Sequence, residues 1–240
     1  MLNRIFSTDS PKAVKADAYG YVNAIHYMAP HDKGGVGNLC SHASPACIAL
    51  CLGHYSGQAS YVHDLEADDN SVRKSRRDKA VRFMRDRSNY LRDMVRSIES
   101  EIRHAQRVGK KLCVRLNGST DIAWEGVRLD GRTMFELFPM VQFVDYTKNP
   151  RRFDRTLPAN YHLTFSRSET NESDCAELLA RGHNVAVVFG AGKPDKFLGA
   201  LVIDGDAHDL RHLDPRGGFV IGLTPKGRKA KKDMSGFVVR

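Results

Sequence analysis

At 240 residues, 41% hydrophobic and 27% charged, the chain has enough apolar material for a substantial core, which excludes a disordered or fibrous protein. No apolar run approaches the roughly 18–20 residues of a membrane span, and residues 1–17 are too charged for a signal peptide, so a soluble intracellular protein is expected. The net charge of +9 favours a polyanionic partner, nucleic acid first, because each cation that meets a phosphate releases condensed counterions.

The first distinctive stretch is "NLCSHASPACIALCLGHYSG", residues 38–57, which holds three of the five cysteines and two histidines. An odd cysteine count clustered at one end argues for reduced thiols or thiolate ligands rather than disulfides. A loop followed by one helical turn converges the sulfurs of Cys40, Cys47 and Cys51, and thiolates suit zinc or an iron–sulfur cluster better than magnesium. Zinc takes a fourth ligand, His54 or His42 being nearest, with His26 and His63 further candidates. A cluster held by the three thiolates leaves one iron open. The spacing matches neither paired Cys-x-x-Cys units nor the Cys-x-x-x-Cys-x-x-Cys of radical S-adenosylmethionine enzymes, and buried structural cysteines are the competing reading.

Residues 74–109 place Val81, Met84, Leu91, Met94, Val95, Ile98 and Ile102 at spacings near three and four, which predicts an amphipathic helix, long or broken near Ser88 and Asn89 and stopped by Gly109. Its polar face, with the residue before it, carries Arg73, Lys74, Arg76, Arg77 and Arg82, candidates for phosphate contact or simply a solvated face.

Short apolar runs then follow at residues 111–118, 141–147, 161–166, 184–190, 199–206 and 219–223. Helices are predicted between them in "GRTMFELFP" and "NESDCAELLARG", the second with Asn171 as N-cap and Gly182 as stop. Near-continuous apolar strands alternating with helices imply a parallel sheet covered on both faces. The expected fold is α/β, a small or incomplete TIM-like barrel or an open sheet, with an N-terminal cysteine segment and a long basic helix. One domain over 1–240 is expected: cysteine segment and basic helix in 1–110, sheet core in 111–225, basic tail in 226–240. Cys113 within a strand and Cys175 within a helix read as core residues. The tail, with Lys226, Arg228 and Lys229 as further DNA candidates, ends in Phe237, Val238 and Val239, which favour packing back or edge pairing over an untethered tail no more than evenly.

Active sites of parallel α/β proteins gather beyond the carboxyl ends of the strands. The polar residues there are Asn117, Ser119 and Asp121; Asp145, Tyr146, Thr147 and Lys148; Ser166, Arg167, Ser168 and Glu169; and Asp204, Asp206, His208 and Asp209, with Arg211 and Asp214 behind. The four aspartates 204, 206, 209 and 214 offer a magnesium site, or one of them a nucleophile or base. "FGAGKPDK" lacks the full phosphate-loop pattern, so ATP hydrolysis is not expected.

The stretches "NLCSHASPACIALCLGHYSG", "VRLNGSTDIAWE", "VQFVDYTKNPRR", "LPANYHLTFSRSETN", "NVAVVF" and "VIDGDAHDLRHLDPRGGFVIGLTPKGRKAKKDMSGFV" together resemble a family of largely uncharacterised bacteriophage proteins, from about Asn38 to the C-terminus. That resemblance implies a role in the cytoplasm of the infected bacterial host. More loosely, the chain resembles phage DNA deazaguanine transglycosylases, barrel proteins in which one aspartate attacks the sugar C1′ and expels guanine while a second deprotonates the incoming 7-deazaguanine. It departs from them in placing the cysteines before the sheet and in lacking their nucleophile motif.

The expected function is therefore a phage DNA-modifying enzyme that exchanges guanine for a 7-deazaguanine base. Asp121 and either Asp204 or Asp206 would be the two carboxylates, and Asn117, Ser166, Arg167 and Glu169 would contact the base. Zinc on Cys40, Cys47, Cys51 and His54 is the expected metal, with an iron–sulfur cluster as alternative. DNA or RNA is the partner, and no membrane is involved. The alternatives are a non-catalytic metal-stabilised nucleic-acid-binding protein and an iron–sulfur redox or radical enzyme.

Overall fold

A computed structural model describes residues 4–240. The apolar runs become strands of one ten-stranded, mostly parallel sheet. The strands are β1 (Phe6–Ser7), β2 (Tyr21–His26), β3 (Lys111–Arg115), β4 (Gln142–Thr147), β5 (Tyr161–Ser166), β6 (Val185–Phe189), β7 (Lys196–Phe197), β8 (Ala200–Asp204), β9 (Val220–Leu223) and β10 (Val238–Val239). Their order is β1-β2-β3-β4-β5-β6-β9-β8-β7. From β2 to β8 every pairing is parallel, whereas β1 on β2 and β7 on β8 are antiparallel. All six predicted runs are strands within a residue or two, except that β3 stops at Arg115 and the chain turns into its loop earlier.

The sheet is open, which corrects the barrel expectation. Two-residue antiparallel strands cover both edges, so the outer parallel strands never meet each other. The segment 205–214, leaving β8, crosses the sheet instead. Gly205 N–H donates to the Gly222 carbonyl at 2.8 Å, His208 packs edge-on to Tyr19 with centroids 4.5 Å apart, and His212 packs on Tyr21 of β2 at 5.1 Å.

Alternation along the strands sorts the two faces. On β3 and just after it, Leu112, Val114 and Leu116 join the main core, while Cys113 and Arg115 face the side covered by residues 205–214, where Cys113 packs with Ala16, Val144 and Leu210. Cys113 and Cys175 are both fully buried, as expected of core cysteines.

The helices are α1 (Pro11–Val14), α2 (Pro45–Ala49), α3 (Leu52–Tyr55), α4 (Ser71–Arg85), α5 (Arg87–Arg107), α6 (Met134–Leu137), α7 (Glu172–Ala180) and α8 (Arg228–Lys231). The long basic helix is broken, as the sequence allows, but at Asp86, whose φ of −138° and ψ of 55° leave helical geometry. Asn70 caps α4 by accepting Arg73 N–H at 2.9 Å. On α5, Tyr90, Leu91, Met94 and Ile98 are buried in the main core, and Gly109 ends the element with φ +67°. Asn171 stands at the start of α7 but its side chain turns back, accepting Ser168 N–H at 2.7 Å and donating to Ser166 O at 3.2 Å. Among the described residues no helix is long and apolar enough to cross a membrane.

Two strands extend the sheet beyond residues 111–225. β2 precedes the cysteine segment, so the cysteines follow the first parallel strand rather than precede the sheet. The tail packs back through β10, which lies parallel to the end of β6 (Val238 opposite Val188).

Gly118 shows how closely the loop after β3 crosses β2. Its N–H donates to His26 O at 2.9 Å, and a Cβ there would stand 2.5 Å from that oxygen and 2.8 Å from Ile25 and Tyr27 side-chain atoms. Gly118→Ala is expected to cost about 2–3 kcal/mol by overpacking, measured by urea unfolding.

Candidate functional site: a thiol-lined cavity at the strand ends

The carboxyl ends of β3, β4, β5, β6 and β9 open onto a cavity of about 210 Å³ roofed by the cysteine segment. Cys40, Cys47, Cys51 and His54 line one side, Asn117, Ser119, Asp121, Lys148 and Ser166 the strand ends, and Val188, Leu223, Lys226 and Phe237 the far wall. The sequence holds the roof in place at three points. Ser44 caps α2 by accepting Cys47 N–H at 3.2 Å. Glu169, from the loop after β5, accepts Ser44 Oγ at 2.7 Å and Ala46 N–H at 2.9 Å, which ties that helix start to the sheet. Arg73, on α4, donates to the carbonyls of Ala59, Asp68, His54 and Leu65 at 2.6–3.1 Å and fixes the loop behind α3. Glu169→Ala is expected to lower stability by about 1 kcal/mol in urea unfolding, since it removes the carboxylate that satisfies both donors.

The thiols are built into this roof rather than left on its surface. Cys40 Sγ accepts His31 N–H at 3.3 Å, and the thiol donates to Ser119 O at 3.7 Å. Burial pushes the Cys40 thiol up to about 12 and the Cys51 thiol up to about 11, so a metal must displace protons there and its affinity will rise with pH. The Cys40 thiol also feels Cys51 and Cys47, a sign of how near the three stand. Arg76 donates to Gly53 O, lies 4.7 Å over the Tyr27 ring and lowers the Cys51 thiol pKa against its burial, so a guanidinium backs the thiol wall. His54 is neutral, desolvation holding it down to about 4. Among the described residues, no three His, Cys, Asp or Glu side chains converge closely enough to hold one metal ion.

Below the thiols lies an ion-pair network. Asp121 accepts Lys148 N–H at 2.9 Å and Arg152 Nη1 at 3.2 Å. Arg152, 4% exposed, also grips Glu125 through two bonds of 2.7–2.8 Å and donates to Tyr161 OH at 2.9 Å. Tyr161 in turn donates to Asp145 Oδ2 at 3.1 Å. Burial raises Asp145 to about 7, against the pull of Asn117 N–H and of Arg115 and Arg152.

The structure gathers Cys40, Cys47, Cys51, His54, Asn117, Ser119, Asp121, Tyr146, Thr147, Lys148, Ser166, Asp209 and Lys226 on one cavity, while Arg167, Glu169, Asp204 and Asp206 are not on its lining. Asn117 is occupied: its Oδ1 accepts Thr120 Oγ1, Ile122 N–H and Trp124 Nε1–H, so it shapes the loop rather than offering a base contact. Arg167 donates to Gly236 O at 2.7 Å and pairs with Glu172, anchoring the tail. Asp204 and Asp206 are clamped by Lys193 away from the cavity lining, Asp206 also pairing with Lys226 at 3.3 Å. Of the basic-helix candidates, Arg73 is buried, Arg76 faces the thiols, and Lys74, Arg77 and Arg82 are paired with Asp78, Asp69 and Asp93. Lys229 pairs with Glu66 and lies 3.6 Å over the Tyr55 ring, while Arg228 is exposed. Arg115, Arg152, Tyr161 and Phe237 were not expected in the site. An arginine inside the apolar run 111–118, at the end of β3, was a signal for it, since such a residue needs a polar face.

Fold and site together define an open parallel α/β protein with a cysteine-walled cavity at the carboxyl edge of its sheet. The chain belongs to the gene product 88 family, a phage-type family whose model matches residues 4–240. That match gives the transglycosylase resemblance no support. Neither the curated proteins nor the solved structures give a match.

Proposed function

We propose that the protein is a phage iron–sulfur enzyme, acting in the infected cell, in which Cys40, Cys47 and Cys51 hold a cluster at the roof of the cavity and substrate binds beneath it. The observation that carries this is the placement of three thiols on one wall of a cavity at the strand ends. A cluster presents its irons at separate corners, so its thiolates stand further apart than those around a single ion. Three thiols that share one cavity lining supply the ligands such a cluster needs. Three thiolates leave one iron open, and such an iron supplies Lewis acidity or one-electron transfer to a bound ligand. Arg76, which lowers the Cys51 thiol pKa, offsets the negative charge of the thiolates, and Phe237 of the tail lines the cavity.

Guanine exchange fares less well on geometry. It needs two carboxylates facing one sugar, and of the three expected for it only Asp121 lines the cavity, with Asp209 there in place of Asp204 and Asp206. Protein purified without oxygen is expected to be brown and to contain iron and acid-labile sulfide. Zinc at one equivalent, or colourless protein without metal, overturns the reading.

A nucleic-acid partner is favoured by one further observation. α8, whose Ala230 lines the cavity, and the residue after it expose Arg228, Lys231 and Lys232 to solvent. Changing the three to glutamine is expected to reduce the slope of log affinity for DNA against log salt by about 2–3, read by fluorescence anisotropy. An unchanged slope removes α8 from the interface.

A further inference from the structure

Lys148 follows β4, and its backbone N–H is pinned by Asp121 Oδ2 at 2.9 Å, so the start of its side chain is fixed. The ammonium turns into the cavity, donating to Ser166 Oγ at 2.9 Å and standing 5.3 Å from the Phe237 ring centroid. An ammonium carries three donors, and a hydroxyl uses one of them. No ion pair among the described residues holds Lys148; of the two aspartates on the cavity lining, Asp121 is engaged by Arg152 and Asp209 has a partner of its own. A half-buried cation beside an aromatic ring and without a counter-ion is an unfinished electrostatic arrangement. The wall next to it, Val188, Leu223 and Phe237, is apolar.

We infer that the cavity binds a small organic anion, with a carboxylate or phosphate group on Lys148 and an apolar or planar body along Val188, Leu223 and Phe237 toward the thiols. Anion recognition rests on the cavity alone; only the group met by the ligand's far end rests on the iron–sulfur reading. Ser166 and Phe237 are then positioning residues that aim the ammonium.

Benzoate and phenyl phosphate carry the two anionic groups on one planar body, and benzamide is their neutral counterpart. Titration calorimetry on the purified protein at fixed ionic strength is expected to show one site for at least one of the anions and none for benzamide. The tighter of the two identifies the head group. Lys148→Gln should weaken that binding about tenfold or more, and Lys148→Arg should restore part of it. Absence of binding by both anions, equal binding of benzamide, or an affinity unchanged in Lys148→Gln with native thermal unfolding overturns the inference. The same titration on a Cys40, Cys47 and Cys51 triple alanine variant separates the two proposals. Lys148-dependent binding that persists in this variant leaves the anion site standing whatever the iron and sulfide content of the native protein, which alone decides the cluster.

Discussion

Replacing Arg152 by alanine is expected to cost about 3–5 kcal/mol of stability, the range for removing one partner from a buried charge network. Arg152 is 4% exposed and is the common partner of Glu125, Asp121 and Tyr161. Without it Glu125 and Asp121 keep their charges at nearly buried positions, and Tyr161 loses the donor that orients its hydroxyl toward Asp145. Arg152→Lys should recover only part of the loss, because a point ammonium cannot reproduce the two-pronged grip on Glu125. Pairing Arg152→Ala with Glu125→Gln should cost less than the sum of the single changes, since the second removes a stranded carboxylate. Urea unfolding of the four proteins measures this. A loss under about 1 kcal/mol for Arg152→Ala would mean that water solvates these carboxylates freely.

The strands were legible because burial on both faces leaves a plain mark, runs of Val, Ile, Leu and Phe. β2 was not, because its segment "YVNAIH" mixes in Asn23 and His26, both buried. His26 lies in the main-core aromatic group, hydrogen-bonded through its ring to Leu116 O at 2.9 Å and Tyr90 OH at 2.6 Å. A histidine whose polar atoms are met inside the core looks, in sequence, like a surface residue. That the sheet stays open was beyond the sequence for another reason. It depends on β1 and β7, strands of two residues, too short to leave a periodicity.

At the site, chemistry was legible where residue type decides it and illegible where neighbours decide it. The thiols and strand-end polar residues point to the right edge of the sheet, and the cavity gathers Cys40, Cys47, Cys51, Asp121 and Ser166 there. Composition could not tell which cations were already taken. Arg73 and Arg77 look alike in the sequence, yet one holds four loop carbonyls and the other pairs with Asp69. Lys148 and Lys226 both reach the cavity, and only the fold shows that Asp206 meets Lys226 while Lys148 forms no ion pair among the described residues and donates to Ser166 Oγ.

Stability is expected to fall steeply between pH 6.5 and 4, and buried histidines are the cause. Desolvation holds His26 at about 3 and His162 and His212 at about 4, so all three stay neutral in the folded protein through this window. In the unfolded chain they take up protons below about 6.5, so their contribution is complete above that pH and is lost as pH falls toward their folded values. Two aspartates act in the opposite sense. Burial raises Asp145 to about 7 and Asp214 to about 6, so folding takes up protons at these sites and their penalty grows as pH rises from about 4. Half-buried His54, held at about 4, acts with the three histidines, so four groups against two leave a net loss on acidification, each proton weighing about 1.4 kcal/mol per pH unit at full difference. The variants separate the signs. His26→Gln should flatten the decline below pH 6.5 by up to one proton, whereas Asp145→Asn should steepen it between about pH 4 and 7 by removing an opposing group. Urea unfolding at half-unit steps from pH 4 to 8 measures both slopes. If His26→Gln leaves the slope unchanged, His26 is protonated in the folded state, and the Tyr90 hydroxyl then accepts from its ring rather than donating to it.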